Sequence, residues 1–220
     1  MEVTHVIERN DGTYDLLFVE KIGSPVSGEY VRVKRIFDFV FALILGLFAL
    51  PIVFLFGLLV GLTSKGGVFY SQKRVGYMGK VIKITKLRSM SNDAESKSGA
   101  MWAQKNDPRV TAVGKFIRKT RIDELPQIWN VLKGEMSFIG PRPERPLMTH
   151  KFSDECPGFE QRLRVLPGLS GYAQIHGGYE LTPKKKAELD NYYIEHVSYR
   201  MDFHIMFGTL RVILTGDGAR

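Results

Sequence analysis

The sequence predicts an α-rich, irregular α/β protein: a Pro-broken apolar helix forming a re-entrant membrane hairpin, followed by a small body with interfacial helices. Three observations carry this. Residues 39–62 contain no charge at all. Beyond them, short alternating segments, the mark of strands, mix with apolar stripes at helical spacing. Neither a Gly-rich dinucleotide fingerprint nor eight βα repeats is present, which excludes Rossmann and TIM architectures.

Composition bounds the rest. The 220 residues are 44% hydrophobic and 25% charged, which suits one globular domain with a small appendage and excludes a disordered chain. Charges interrupt nearly every other stretch, so a polytopic membrane protein is excluded too. The single cysteine, Cys156, excludes a disulfide framework and a Cys-rich zinc site. The net charge of +8 points to a polyanionic partner: nucleic acid, anionic lipid or a phosphorylated substrate. Residues 1–30 hold six acids and two bases, which leaves +12 on residues 31–220. That acidic leader reads as a separate extension, with a short strand at 13–20 and a Gly-Ser-Pro turn at Gly23 to Pro25.

The second unit, residues 31–64, contains the apolar run. A straight helix over residues 39–62 reaches roughly 36 Å, enough for a hydrocarbon core of about 30 Å. A single spanning helix is therefore one reading. Two details favour another. Pro51, in the middle of the run, lacks the N–H that would bond the carbonyl of Leu47 and so favours a bend. Both flanks are basic, with Arg32, Lys34 and Arg35 before the run and Lys65, Lys73 and Arg74 after it. The positive-inside rule puts basic flanks on the cytoplasmic side. A helix that enters one leaflet, turns at Pro51 and returns satisfies both ends.

Residues 65–220 form the body. Residues 68–72 and 81–87 read as strands, with Gly76 and Gly79 marking the turn between them. Residues 89–108 are polar and read as a loop. A helix is expected over 112–119. Another follows it, with Leu125, Ile128, Trp129 and Leu132 on one stripe and a stop at Lys133-Gly134. Residues 137–139 approach the stiff turn Gly140-Pro141-Arg142-Pro143. A longer helix is expected over 183–197. Phe203, Met206, Phe207, Leu210 and Leu214 form a last stripe, too short to span a bilayer. It is either core or the buried face of a helix lying at the membrane surface.

The chemistry centres on residues 118–127. Asp123 and Glu124 are adjacent carboxylates between cations and a helix start. Asp123 as N-cap and Glu124 as a first-turn charge on the helix dipole is the purely structural account. A helix N-terminus with arginines nearby is also a phosphate site. A carboxylate there can attack phosphorus or bind a hard cation. Arg142 and Arg145, set among three prolines, are candidates for further phosphate contacts.

These features together resemble a known family. Lys34-Arg35-Ile36-Phe37-Asp38, the Pro-broken run, Lys86-Leu87-Arg88-Ser89-Met90, residues 118–127 and the stretch from Asn130 to Pro143 look like the bacterial sugar transferases, the monotopic phosphoglycosyl transferases. So do residues 164–175 and 188–194. The resemblance covers residues 33–214, with the motifs in order. Two features depart from it or fall outside it. Leu50 precedes Pro51 where many members have serine, and residues 1–30 lie outside the family core. The chain resembles the minimal single-domain form.

The resemblance implies an enzyme of the cytoplasmic face of the bacterial inner membrane. It moves a sugar 1-phosphate from a UDP-sugar to undecaprenyl phosphate, releases UMP, uses Mg²⁺ and starts exopolysaccharide, capsule or glycan assembly. It implies Asp123 as the nucleophile of an aspartyl phosphosugar intermediate and Glu124 as its partner, binding Mg²⁺ or accepting a proton. Both carboxylates are candidate metal ligands. Arg118 and Arg142 are placed on the phosphates, and Lys86 and Arg88 at a basic strand end. Tyr172 and Gln174 are placed in a late pocket-lining loop. A homodimer through the C-terminal helix is compatible with the stripe. The competing reading is a membrane-anchored basic adaptor without catalysis, which leaves the acidic pair unexplained. Nucleic-acid binding explains only the charge, and no nucleic-acid motif is present.

Overall fold

The computed structural model describes residues 7–8, 14–15, 21–92, 94 and 107–215. Two short strands, β1 (Ile7–Glu8) and β2 (Tyr14–Asp15), pair antiparallel. The remainder of the strand expected at 13–20, and most of the loop expected at 89–108, lie outside the described residues. Residues 21–28 run along a 3₁₀ segment, Phe159–Arg164. The Val26 amide donates to the Arg164 carbonyl at 3.0 Å, and Gln161 bonds Gly23 and Lys21.

Helix α1 is a single 35-residue helix, Glu29–Thr63, with Pro51 inside it. The expected hairpin does not appear as an interruption: helical geometry runs through the proline. Deleting one N–H–carbonyl bond permits a bend without ending the helix. One face of α1 is lipid-like, with Phe37, Leu47, Phe48, Leu50, Phe54 and Leu62 all more than 60% exposed. The opposite stripe, Asp38, Ala42, Ala49, Gly57 and Val60, is buried. It lies against the body along the whole helix. Small residues allow that close approach, which matters where lipid supplies no hydrophobic drive for helix packing.

Polar pins fix both ends of α1. At the start, Lys34 and Tyr30 donate to Asp202 at 2.5 and 2.6 Å. Arg35 donates to the carbonyls of Val131 and Leu132 at 2.6 and 3.0 Å, and Asp38 accepts from the Phe138 amide at 3.2 Å. At the end, Arg88 donates to the Ser64 carbonyl at 2.8 Å and to its hydroxyl at 2.7 Å.

The body holds two further pairs of strands. Strands β3 (Phe69–Val75) and β4 (Val81–Leu87) form an antiparallel hairpin in full register from Phe69↔Leu87 to Val75↔Val81. Its turn is a 3₁₀ segment, Tyr77–Gly79, with Met78 at φ 50°. Helix α2 (Ala112–Lys119) is capped by the Thr111 hydroxyl, which accepts from Gly114 N–H at 2.9 Å. A 3₁₀ segment, Ile122–Gln127, then leads into α3 (Ile128–Lys133). Gly134 ends α3 at φ 79°, where its hydrogen leaves room for the Arg35 guanidinium. Strands β5 (Ser137–Ile139) and β6 (Gly168–Ser170) pair in parallel. Around them come α4 (Pro146–Glu155), α5 (Tyr172–Ile175), α6 (Pro183–Glu195) and α7 (Tyr199–Thr215).

Two hydrophobic clusters join α1 to the body. Ala42 and Ala49 pack with Ile82, Ile84, Ile128, Val131 and Met136. Val60 packs with Leu87 and Ile117. The α7 stripe is not core. Phe203, Phe207 and Leu210 are 56, 63 and 51% exposed, while Ile205 on the other face is fully buried. The reading of that stripe as simple core is thereby corrected. The side chain of Leu214 lies outside the described residues.

Candidate active site

The 3₁₀ segment Ile122–Gln127 presents both carboxylates. Asp123 is not the N-cap that the sequence suggested. Arg121 precedes the segment in the left-handed region, φ 59°, and Asp123 and Glu124 lie within its first turn. The left-handed residue reverses the chain after α2 and so packs the carboxylates against β4. Pro126 lacks the donor an α-helix would use, and α-geometry begins only at Ile128.

Glu124 is held by two cations. Arg142 reaches both of its oxygens, Nη2 to Oε1 at 2.5 Å and Nη1 to Oε2 at 3.3 Å. Lys86, at the end of β4, donates to Oε1 at 2.7 Å. Burial pushes the Glu124 pKa upward, but Arg142 and Lys86 outweigh it and hold the carboxyl well below the usual range. Asp123 is 6% exposed, and its Oδ1 is buried without a hydrogen-bond partner among the described residues. Burial raises its pKa to about 6, with Lys86 opposing and Glu124 adding to the rise. The two neighbours thus differ in character: Glu124 is a fixed anion and Asp123 an under-satisfied one.

Both open into a cleft of about 260 Å³ lined, among the described residues, by nine basic residues and three acidic ones. Arg118 lies on its wall and donates to the Ser89 hydroxyl at 3.3 Å. Arg142 is supported from behind. Its carbonyl accepts from Arg162 Nη2 at 2.7 Å, and the same guanidinium pairs with Asp190 at 2.7 Å, both residues almost fully buried. Arg145 lies on the cleft wall at the start of α4. A second, apolar groove of about 200 Å³ adjoins the cleft at Arg121, Glu124 and Arg142.

The structure therefore brings Lys86, Arg118, Asp123, Glu124, Arg142 and Arg145 together. Arg88 borders the cleft, but its hydrogen bonds go to Ser64, at the end of α1. Gln174 faces the apolar groove instead and donates to the Leu169 carbonyl at 3.0 Å. Tyr172 belongs to a short helix and an aromatic cluster, 4.2 Å from the His176 ring and 5.3 Å from Tyr192. Tyr172 itself borders neither cavity, while Ala173, Gln174 and Ile175 beside it line the groove. Arg74, Arg109, Arg121 and Lys186 also line the cleft. Of these, only Arg121 sat in a motif that signalled it. The others arrive from distant elements.

A family model described as bacterial sugar transferase matches residues 29–216. A Bacillus subtilis (strain 168) protein, provisionally named an undecaprenyl-phosphate N-acetylgalactosaminyl 1-phosphate transferase, is 59% identical over 64% of this chain and 78% of its own. The UDP-N-acetylgalactosamine-undecaprenyl-phosphate N-acetylgalactosaminephosphotransferase of Aeromonas hydrophila is 45% identical over 94% of this chain and 49% of its own. The UDP-glucose:undecaprenyl-phosphate glucose-1-phosphate transferase of Escherichia coli (strain K12) is 40% identical over 85% and 41%. The chain thus spans half or less of the length of the last two.

Proposed function

The chain belongs to the bacterial sugar transferase family, and from that premise we propose that it transfers a sugar 1-phosphate from a UDP-sugar to undecaprenyl phosphate, releasing UMP. The observation that carries this is an acidic pair in a basic cleft beside a lipid-facing helix. The cleft offsets the charge of a diphosphate approaching a carboxylate. UDP-N-acetylgalactosamine is the donor to test first, because the names of the Bacillus and Aeromonas relatives specify that sugar.

In the proposed chemistry an Asp123 oxygen attacks the β-phosphorus. The bond from that phosphorus to the bridging oxygen breaks, and UMP leaves with the electron pair. An oxygen of undecaprenyl phosphate then attacks the aspartyl phosphosugar, and the Asp123 oxygen–phosphorus bond breaks to regenerate the carboxylate. Two steps let a soluble donor and a lipid acceptor use one site in turn. Mg²⁺ fits the unpartnered Asp123 Oδ1, since a hard cation binds oxygen and takes its other ligands from phosphate and water. It would neutralise diphosphate charge. Glu124 is committed to Arg142 and Lys86, so its role in this reading is to set the position of both cations. UMP release from a panel of UDP-sugars by the purified protein in lipid nanodiscs tests the activity. No release with any donor would reject it.

The proposal includes monotopic insertion at the cytoplasmic face. Contact of one small body with both flanks of α1, through Arg35 and Ser64, supports a shallow re-entrant path over a spanning one. In cells, cysteines placed at Arg32 and Lys65 in a Cys156→Ser background should both resist a membrane-impermeant reagent added outside. Labelling of either one from outside would make α1 a spanning helix. The exposed α7 stripe is assigned to the membrane surface. Phe207→Asp with Leu210→Asp should release a measurable fraction of the protein from membranes in high salt. Unchanged retention with a shift from dimer to monomer would assign the stripe to self-association.

A further inference from the structure

This inference rests on the transferase reading and concerns the groove beside the cleft. Its walls are apolar and come from the two membrane-facing helices: Leu45 on α1, Val212 and Ile213 on α7, with Phe138 and Leu169 between. Leu45 and Val212 are half-buried and Ile213 is 40% exposed, so the groove stands at the boundary between body and lipid. Its inner end has the opposite character. Arg121, Arg142 and Lys186 line it there, and all three also line the basic cleft. Glu124 borders both cavities, whereas Asp123 borders only the cleft. A ligand that fits this gradient has an apolar chain outside and an anionic head inside.

We propose that the groove is the acceptor subsite: it takes the phosphate-proximal isoprene units of undecaprenyl phosphate, with the phosphate delivered past the Glu124–Arg142 pair. The occupant is argued from continuity. The groove joins the lipid-exposed faces of α1 and α7 to the site of phosphoryl transfer, and an ordinary phospholipid has no reaction to bring it to that end. Donor and acceptor then reach the same site in turn by different routes, one through the cleft and one along the groove, and the ion pair stands between the routes. Helix α7 becomes a wall of the acceptor site as well as a surface helix.

Val212→Trp fills the groove without touching the cleft. In nanodiscs, the covalent sugar-phosphate adduct formed from donor alone should appear at the wild-type rate. The KM for undecaprenyl phosphate should rise at least tenfold. Equal loss in both half-reactions would overturn the proposal. A photoreactive side chain at Ile213 gives a second measurement that does not depend on turnover. Its crosslink to labelled undecaprenyl phosphate should be competed by unlabelled undecaprenyl phosphate and not by phosphatidylglycerol. Equal competition by both would make the groove a general lipid contact and sink the idea. Failure of the enzymatic reading is seen separately, as absence of UMP release by the wild type.

Discussion

Asp123→Asn is expected to abolish transfer and, at the same time, to stabilise the protein. In the proposed two-step scheme Asp123 is the nucleophile, and its loss should cost at least about three orders of magnitude in rate. Intact-protein mass after donor addition should show a sugar-phosphate increment on the wild type and none on the variant. The stability effect follows from burial. The Asp123 carboxyl is raised from 3.8 to about 6, so the folded state binds its proton more tightly than the unfolded state does. A raised carboxyl weakens the fold fully above pH 6 and not at all below the unfolded value. The asparagine variant should therefore melt higher than wild type at pH 7 to 8, by at most about 3 kcal/mol of stability. That advantage should disappear as pH falls through 6 towards 4. Melting in chelator at several pH values checks the sign. A variant that melts lower at pH 8 would mean that the Asp123 carboxylate is well paired in the folded protein.

Arg142→Ala should damage both stability and activity. It removes the two-pronged partner of Glu124 and leaves that buried carboxylate to Lys86 and the charge of Arg121. Stranding a buried charge costs about 3 kcal/mol, less whatever those two recover. The catalytic loss should be on the order of a hundredfold or more, because the guanidinium also lines the basic cleft proposed to take the diphosphate. Arg142→Lys should rescue the melting temperature in part and activity hardly at all, since an ammonium cannot reproduce the planar fork. Chemical denaturation and donor-only adduct formation separate the two effects. Full activity in Arg142→Lys would reduce Arg142 to a simple counter-charge.

How much of this was legible depended on whether the signal was local. The apolar run, α2 and the α6 helix follow from periodicity and stop signals within a few residues of one another. The grouping of Lys86, Asp123, Glu124 and Arg142 followed from the family motifs, since nothing in their spacing requires them to meet. Strand β6 was missed because three residues, Gly168 to Ser170, carry no alternation that can be read. It exists because the backbone at Gly168 can lie almost against that of Gly140: a Cβ there would fall 2.2 Å from the Gly140 nitrogen. The resemblance places Arg88 beside Lys86 at a basic strand end, and Arg88 does border the cleft. Its partner, Ser64, lies 24 residues back, and only the tertiary fold shows it. The Asp123 cap was misplaced because a single left-handed residue, Arg121, shifted the start of the turn.

The stripe of small residues on α1 bears on how the protein can be produced. Ala42, Ala49 and Val60 complete the interior of the body against Ile128, Val131, Leu87 and Ile117. A water-soluble version made by truncating residues 1–64 would unroof both clusters. It would also leave Arg88 without Ser64, and the carbonyls at the end of α3 without Arg35. The anchor is thus a structural layer of the enzyme. Screening formats, crystallisation designs and chimeras with other anchors need to keep residues 29–63 together with the body they cover.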